Sequence, residues 1–244
     1  MRIDTALNIN HTTAELISNN VKLELNTPGR AIITAITDTD PQSGQAITLD
    51  AKLNGTNWRP VIWGYIDTVQ PLAGGAWQIL ARELAATLNR RIPINLRQPL
   101  PADVLQTLSD QTGAVFVLPE SDWTKTQIPR YQHLGGGYGA LDNMLKTWGV
   151  TDGIWQQQTD GRIYVGERKN SATGAKTIDL PASIFDSLST LGGTLPLTPR
   201  IRPGISITIN GGQPQIIHSI EIAGDTMRLQ WRSIINSTTL RALT

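Results

Sequence analysis

Residues 197–231 read LTPRIRPGISITINGGQPQIIHSIEIAGDTMRLQW. Apolar and polar side chains alternate in three runs of this stretch, which is the pattern of half-buried strands. Turn-forming residues separate the runs, because Asn210-Gly211-Gly212 and Gly224-Asp225 tolerate positive φ. The stretch therefore predicts an antiparallel meander with strands at 204–209, 215–223 and 226–231. Pro203 lacks an N–H and suits the entry to the first strand.

In the N-terminal quarter of the sequence, turn-forming residues again separate short predicted strands. The turn formers lie at 26–29, 38–41 and 54–57, and they predict strands at 2–9, 15–25, 30–37, 45–53 and 58–69. Short strands at regular spacing indicate a barrel or a sandwich. Residues 76–88 begin like a strand and could end as a helix, so we leave that boundary open.

The periodicity changes in the middle of the chain. Residues 101–112 predict an amphipathic helix that begins at Pro101 and ends before Gly113, and a buried strand follows at 114–118. A second helix is predicted at 138–148, with Gly149 closing it. A hairpin is then predicted at 153–165 around Asp160-Gly161, and a polar linker follows at 167–176.

The amino-acid composition limits the classes of function that this chain can have. The chain of 244 residues is 39% hydrophobic and 17% charged, which is typical of a globular protein slightly poor in charge. Its net charge of +1 gives no field for sequence-independent phosphate binding. The absence of cysteine excludes disulfides and thiolate sites. No signal-like or membrane-spanning stretch is evident, so we expect synthesis in the cytoplasm and no membrane anchor.

Seven tryptophans against two phenylalanines is an unusual ratio. Trp77, Trp148 and Trp155 fall on apolar-patterned faces and are predicted core residues. The remaining four are the candidates for a surface or an interface: Trp58, Trp63, Trp123 and Trp231. Aromatic side chains of this kind bind sugars or bases, but tryptophan is also favoured at protein interfaces.

The sequence gives little support for a catalytic site or a metal site. The loop of Gly135, Gly136, Gly137 and Gly139 lacks the Lys-Ser/Thr of a P-loop and is interpreted as a hinge or a tight loop before the second helix. The three histidines are scattered singly, without metal-ligand spacing: His11, His133 and His218. The carboxylates Asp103, Asp110, Glu120 and Asp122 form no evident catalytic pair. We therefore predict no enzyme activity, no cofactor and no metal.

The order of these segments resembles the baseplate hub family of bacteriophage tails, which includes the late-control protein D type and the hub part of type VI secretion spike proteins. The matching segments are VIWGYIDTV at 61–69, the run at 77–88, the helix and strand at 100–117, the unit at 140–165, and IRPG at 201–204 with its meander.

The resemblance implies a mainly β fold with two small antiparallel β-barrels of tail-tube or hub type and an α+β insertion. The implied units are a first barrel at 1–72, a discontinuous second barrel at 73–98 and 177–244, and the insertion with its linker at 99–176. Six residues are expected to serve turns or close packing rather than chemistry: Gly64, Gly149, Gly161, Pro203, Gly204 and Gly211.

The resemblance also implies a structural function. Three copies would form a pseudo-sixfold ring at the tail tip or baseplate of the virion, joining the tail tube to the tip and leaving a channel for DNA. The implied partners are the chain itself, a tail tube or distal tail protein, a tape-measure protein, a spike or tip protein, and transiently DNA. Because the sequence stops at Thr244, we expect the spike to be a separate polypeptide. The alternatives are a carbohydrate-binding tail-tip module and a tail-associated glycosidase or peptidase.

Overall fold

The computed structural model of the chain describes residues 2–233. The first unit is a six-stranded antiparallel barrel in the order β1-β4-β5-β6-β3-β2, which closes where β1 pairs with β2. Its strands are β1 (Ile3–Ile9), β2 (Thr12–Glu24), β3 (Thr27–Ile36), β4 (Ala46–Leu53), β5 (Arg59–Pro71) and β6 (Ala76–Glu83). The strands predicted before residue 70 are confirmed, because alternation places every second side chain inside the barrel.

β6 corrects the predicted domain boundaries. It pairs with both β5 and β3, so it completes the first barrel and does not open a second one. Ile79 and Ala81 point from β6 into the barrel and are fully buried. The predicted boundary at residue 72 is therefore wrong, since without β6 the edges of β3 and β5 would be unpaired. After β6 the chain forms a 3₁₀ turn at Leu84–Leu88 rather than an α-helix.

The α+β unit contains both predicted helices, α1 (Pro101–Thr112) and α2 (Gly137–Thr147). Its strands are β7 (Ile94–Arg97), β8 (Phe116–Val117), β9 (Arg130–His133), β10 (Gly153–Gln157) and β11 (Ile163–Glu167). β10 and β11 form the predicted hairpin, whereas the pairing of β7 with β9 was not predicted.

The core of this unit begins earlier than the predicted boundary at 99. It gathers Leu108 from α1, Met144 from α2 and Trp155 from β10, and it also includes Ala85 and Leu88. The insertion therefore starts directly after the first barrel. The sequence of residues 84–98 does not show which unit they join, and the packing of Ala85, Leu88, Ile92 and Ile94 assigns them to the insertion.

The C-terminal unit is a second sheet in the order β12-β15-β16-β17-β14-β13. Its strands are β12 (Thr177–Leu180), β13 (Ser187–Ser189), β14 (Gly192–Pro196), β15 (Ser206–Ile209), β16 (Gln215–Ala223) and β17 (Thr226–Ser233). The meander of the last three strands is confirmed. The mainly β fold with an α+β insertion is confirmed as well, but within residues 2–233 strand pairing closes only the first of the two expected barrels.

β16 joins the two sheets. Its first residues pair with β15, as Ser206 lies opposite Ile216, and its last residues pair with β2, as Ile220 lies opposite Leu23. The change of partner falls at a β-bulge between Ile217 and Ser219. A single hydrophobic core runs through the barrel and the second sheet, so the two units form one packed body.

Gly204 lies in a turn and not in a strand, which corrects the predicted start of the meander. The strand begins at Ser206, while Gly204 has a φ of +91° that favours glycine. Its N–H donates to the Ile217 carbonyl at 2.8 Å, which fixes the turn against β16. Pro203 occupies the same turn. Gly211 and Gly161 also have positive φ and lie in the turns after β15 and β10.

Gly64 lies in the middle of β5, where its backbone approaches β6 closely. A Cβ atom at this position would lie 1.7 Å from the Arg82 carbonyl oxygen and 2.9 Å from the Glu83 Cα. Both neighbours belong to the backbone, which cannot rotate away as a side chain can. The close packing of β5 on β6 therefore requires glycine here.

We expect Gly64→Ala to lower the free energy of unfolding by about 2–3 kcal/mol, because a methyl group has no room beside the β6 backbone. Gly55→Ala is the matched control. Gly55 has a φ of +72° with open space around it, so only the left-handed conformation is penalised, by about 1 kcal/mol. Urea unfolding of both variants measures the difference, and equal losses would contradict the packing argument.

Candidate functional site

A buried ion pair connects the barrel to the second sheet. Arg202 Nη2 lies 3.4 Å from Glu83 Oε1, and the exposed fractions of the two side chains are 13% and 6%. The other carboxylate oxygen of Glu83 accepts the Gly29 N–H at 2.7 Å. Arg202 also donates to the carbonyls of Pro60 and Val61 at 3.2 and 2.9 Å. The pair thereby ties the end of β6 to β3, to β5 and to the segment before β15.

Burial shifts the pKa values of Glu83 and Arg202 in opposite directions. It raises the pKa of Glu83, while the Arg202 charge and the Gly29 N–H act to lower that pKa. Burial lowers the pKa of Arg202, and the Glu83 carboxylate opposes this change. Each charge thus depends on the other for stabilisation in a largely buried site. All the hydrogen bonds of the pair are to groups of the protein, so the pair helps to hold the two sheets together.

Arg168 forms hydrogen bonds that connect the insertion to the second sheet. The Arg168 guanidinium contacts the Asp152 carboxylate at 2.9 Å. It also donates to the Gly204 carbonyl at 3.0 Å and to the Ser206 hydroxyl at 3.3 Å. Arg168 directly follows β11, so this set of bonds fixes the last strand of the insertion against the turn that opens β15.

Two of the four candidate tryptophans serve contacts inside the chain. Trp63 packs on the hairpin turn of the insertion, where a Cβ at Gly161 would come within 2.8 Å of its ring. Trp231 is only 5% exposed, so the prediction that it lies at the surface is wrong. Its indole N–H donates to the Thr190 carbonyl at 3.0 Å, and Phe185 packs edge-on against it. Alternation alone did not show which face of β17 is covered by residues 185–191.

The other two candidates are more accessible. Trp58 is 46% exposed, but the Lys52 ammonium lies 4.5 Å from the centre of its ring. One face of Trp58 is therefore occupied and is not free to stack on a sugar. Trp123 is half-buried against the insertion core and borders a hollow of about 340 Å³. The predicted core position of Trp148 and Trp155 is confirmed, whereas Trp77 is only half-buried.

Two of the carboxylates considered for catalysis have hydrogen-bond partners in or next to α1. Asp103 accepts the Leu100 N–H at 2.8 Å, and Asp110 accepts from Gln106 at 2.6 Å on the exposed side of α1. Among residues 2–233 no group of three or more His, Asp or Glu side chains is placed to hold a metal ion. No helix in that part of the chain is long and apolar enough to cross a membrane.

The glycine-rich loop before α2 packs tightly against the preceding chain. A Cβ at Gly137 would lie 2.8 Å from the Leu88 carbonyl oxygen, and the Gly137 N–H donates to the Arg90 carbonyl at 3.2 Å. The histidine nearest the loop, His133, forms a 3.0 Å hydrogen bond with the Gly136 carbonyl. Of the two interpretations, a hinge or a tight loop, this close packing favours the tight loop.

The outer surface of β2 and β3 carries an exposed aliphatic patch, here called the isoleucine face. It consists of Ile17, Ile32 and Ile36, and the first two are 53% and 50% exposed. Ile17 lies at a bulge in β2, between the paired residues Leu16 and Ser18. Ile32 lies opposite the uncharged Asn20, and Ser18 lies opposite Thr34 beside the bulge, whereas Ile36 lies opposite Glu15. Sequence reasoning missed this face because Ile32 and Ile36 lie in a strand whose other side chains form the core.

A second exposed patch lies at the hairpin of β13 and β14, here called the hairpin edge. Leu191 is 69% exposed and Leu188 is 47% exposed. In the described part of the chain β13 pairs only with β14, so its outer edge is free. A groove of about 650 Å³ runs beside it and is lined by residues of β13, β14 and β17, including Arg228, and by His218 of β16. Free edges with exposed leucines are typical of strands that pair in an assembly.

The chain resembles known proteins in sequence and in fold. No protein-family model matches the chain. The sequence is 28% identical over 225 residues to an uncharacterised 58.7 kDa protein from the lys 3′ region of Haemophilus phage HP1. That alignment covers 92% of this chain and 41% of the phage protein, so the chain spans less than half the length of this relative.

Three solved structures are similar to nearly the whole chain, each at 12% sequence identity. The 43 kDa tail protein of prophage MuSo2 from Shewanella oneidensis has a TM-score of 0.73, with 95% of this chain and 98% of that chain covered. A tail protein from Neisseria meningitidis has a TM-score of 0.70, with 96% and 97% covered. An Escherichia coli component of the type VI secretion system has a TM-score of 0.65, with 93% and 76% covered. The chain therefore has the fold of these tail proteins.

We expect Arg202→Met to lower the free energy of unfolding by about 3–5 kcal/mol at neutral pH, because it leaves the Glu83 carboxylate buried without its cation. The pKa of Glu83 in the folded variant then lies further above its value in the unfolded chain. A carboxyl group with a raised folded pKa favours the folded state more at low pH, so part of the loss should be recovered near pH 5.

The double variant Glu83→Gln/Arg202→Met is the matched control. It leaves no unpaired charge, and the amide oxygen introduced at position 83 can still accept the Gly29 N–H, so it should lose less stability than Arg202→Met alone. Urea unfolding at both pH values measures these differences. A loss that is independent of pH and equal in the two variants would contradict the assignment of the cost to an unpaired carboxylate.

Proposed function

We propose that this chain is a structural hub protein of a bacteriophage tail or a related tail-like particle. The observation that carries the proposal is the fold, since a tail protein matches 95% of this chain over 98% of its own length. The sequence similarity to a protein of phage HP1 supports the same context. The resemblance in the order of segments agrees with both.

The proposed role is mechanical. Each copy contributes two β units, the closed barrel and the second sheet, held together by β16 and a shared core. Three copies in a ring would present six β units around the axis, which allows a threefold tip to join a sixfold tube. The ring would leave a channel through which DNA passes. Adjacent proteins would be the tail tube or distal tail protein, the spike or tip protein and the tape-measure protein, all within the virion.

The two exposed patches supply surfaces for such a ring. A ring of identical copies needs a head-to-tail contact between two different patches on each copy. The isoleucine face and the hairpin edge meet this requirement, because they lie on different strands and both are aliphatic at their centres. Contact between them would remove the exposed leucines and isoleucines from water and cover the free edge of β13.

We expect the chain to self-associate in solution with a mass three times that of the 26.6 kDa subunit. Ile32→Lys and Leu191→Lys should each weaken the association by at least about tenfold, because a charge would be buried in an aliphatic contact. Leu134→Lys is the control, since Leu134 is similarly exposed but lies on the insertion. Light scattering after gel filtration measures the mass. Equal weakening by all three variants would contradict these interfaces.

Electron microscopy of the particle tests the location of the chain. We expect three copies at the end of the tail tube, enclosing a channel, with the barrel and the second sheet alternating around the axis. Six copies, a location on side fibres, or absence from the particle would contradict the hub assignment. A subunit-specific antibody or a fused tag identifies the chain in the images without relying on fitted density.

A further inference from the structure

A cleft of about 810 Å³ lies where the three units meet. Its walls are the loop before β5, the end of β10 with the turn after it, and the segments that lead into β12 and β15. The lining residues fall within 57–60, 156–159, 172–178 and 199–205. The cleft is larger than the groove at the hairpin edge and lies apart from both proposed ring contacts.

All the charged side chains that line this cleft are cationic. They are Arg59, Lys176, Arg200 and Arg202, and no Asp or Glu is among the lining residues. Arg202 is neutralised by Glu83, but the other three are exposed and have no acidic partner within 4.0 Å among residues 2–233. The whole chain has 21 Lys and Arg against 20 Asp and Glu, so this clustering is a local concentration of positive charge. We call it the basic cleft.

The basic cleft also contains an unpaired strand edge. β12 pairs only with β15 in the described part of the chain, and Thr177 and Ile178 face the cleft. The Lys176 carbonyl accepts the Ser206 N–H from β15 at 3.1 Å. Because the C=O and N–H of one peptide unit point in opposite directions, the Thr177 N–H points away from β15 and toward the cleft. An extended chain lying there could add a strand to β12.

We propose that the basic cleft binds an extended acidic peptide segment of a partner protein. The main chain of that segment would pair with the edge of β12, and its carboxylates would contact Arg59, Lys176 and Arg200. A peptide fits better than a nucleic acid for two reasons. A strand edge satisfies peptide groups that a phosphate backbone lacks, and Lys52 occupies one face of Trp58, the exposed aromatic side chain at the rim. This proposed peptide-binding site does not depend on the trimeric ring proposed above.

The probe is a fluorescein-labelled ten-residue peptide of alternating Glu and Thr, titrated with the full chain and followed by fluorescence anisotropy. A Lys and Thr peptide of equal length and a ten-residue thymidine oligonucleotide are the comparison probes. We expect saturable binding of the acidic peptide, weakened by added salt, and much weaker binding of the other two. Absence of binding, or stronger binding of the oligonucleotide, would overturn the proposal.

Three variants separate the charge from the strand edge. Lys176→Glu and Arg200→Glu should each weaken binding of the acidic peptide by about three- to tenfold, and the control Arg30→Glu on the outside of the barrel should not. Thr177→Pro removes the outward N–H at the first residue of β12, where proline is tolerated, and should also weaken binding. Thermal melts verify that the variants are folded. Unchanged affinity in both charge variants would overturn the assignment of the site.

Discussion

The ion pair of Glu83 and Arg202 constrains how the parts of this molecule fit together. A buried carboxylate or guanidinium without a partner costs several kcal/mol, so any arrangement that separates the two is strongly disfavoured. The end of β6 must therefore meet the segment before β15, although the two residues are 119 positions apart. Gly29 donates to the same carboxylate, and Gly64 lets β5 approach the backbone at Glu83. This junction adds to the shared core and to the pairing of β16 with β2 in attaching the second sheet to the barrel.

Much of the secondary structure could be predicted from the sequence because it is encoded locally. The helices α1 and α2 have the 3.6-residue period, and the meander of β15, β16 and β17 has the alternation of half-buried strands. Strand partners are not encoded in this way. β6 has the pattern expected of any barrel strand, and its pairing with β3 and β5 depends on which edge is left open. The boundary of the insertion was misplaced for the same reason, since Ala85 and Leu88 are apolar in either unit.

The candidate surfaces could be predicted less well than the fold. The isoleucine face lies on strands whose alternate residues are core, and a bulge in β2 decides that Ile17 points outward. Trp231 is of a residue type that is common at interfaces, but residues 185–191 of its own chain cover it. The basic cleft gathers Arg59, Lys176 and Arg200 from distant parts of the sequence, and each is an isolated charge until the fold brings them together.

β16 gives the protein a mechanical property that neither sheet would have alone. One edge of β16 pairs with β17 along the strand, while the other edge pairs with β15 before the bulge and with β2 after it. A force that pulls the second sheet along the strand direction would load the hydrogen bonds of β16 together, in shear, and could not break them one after another from an end. In the tail hub proposed above, axial load would pass through this continuous backbone and not through a hinge.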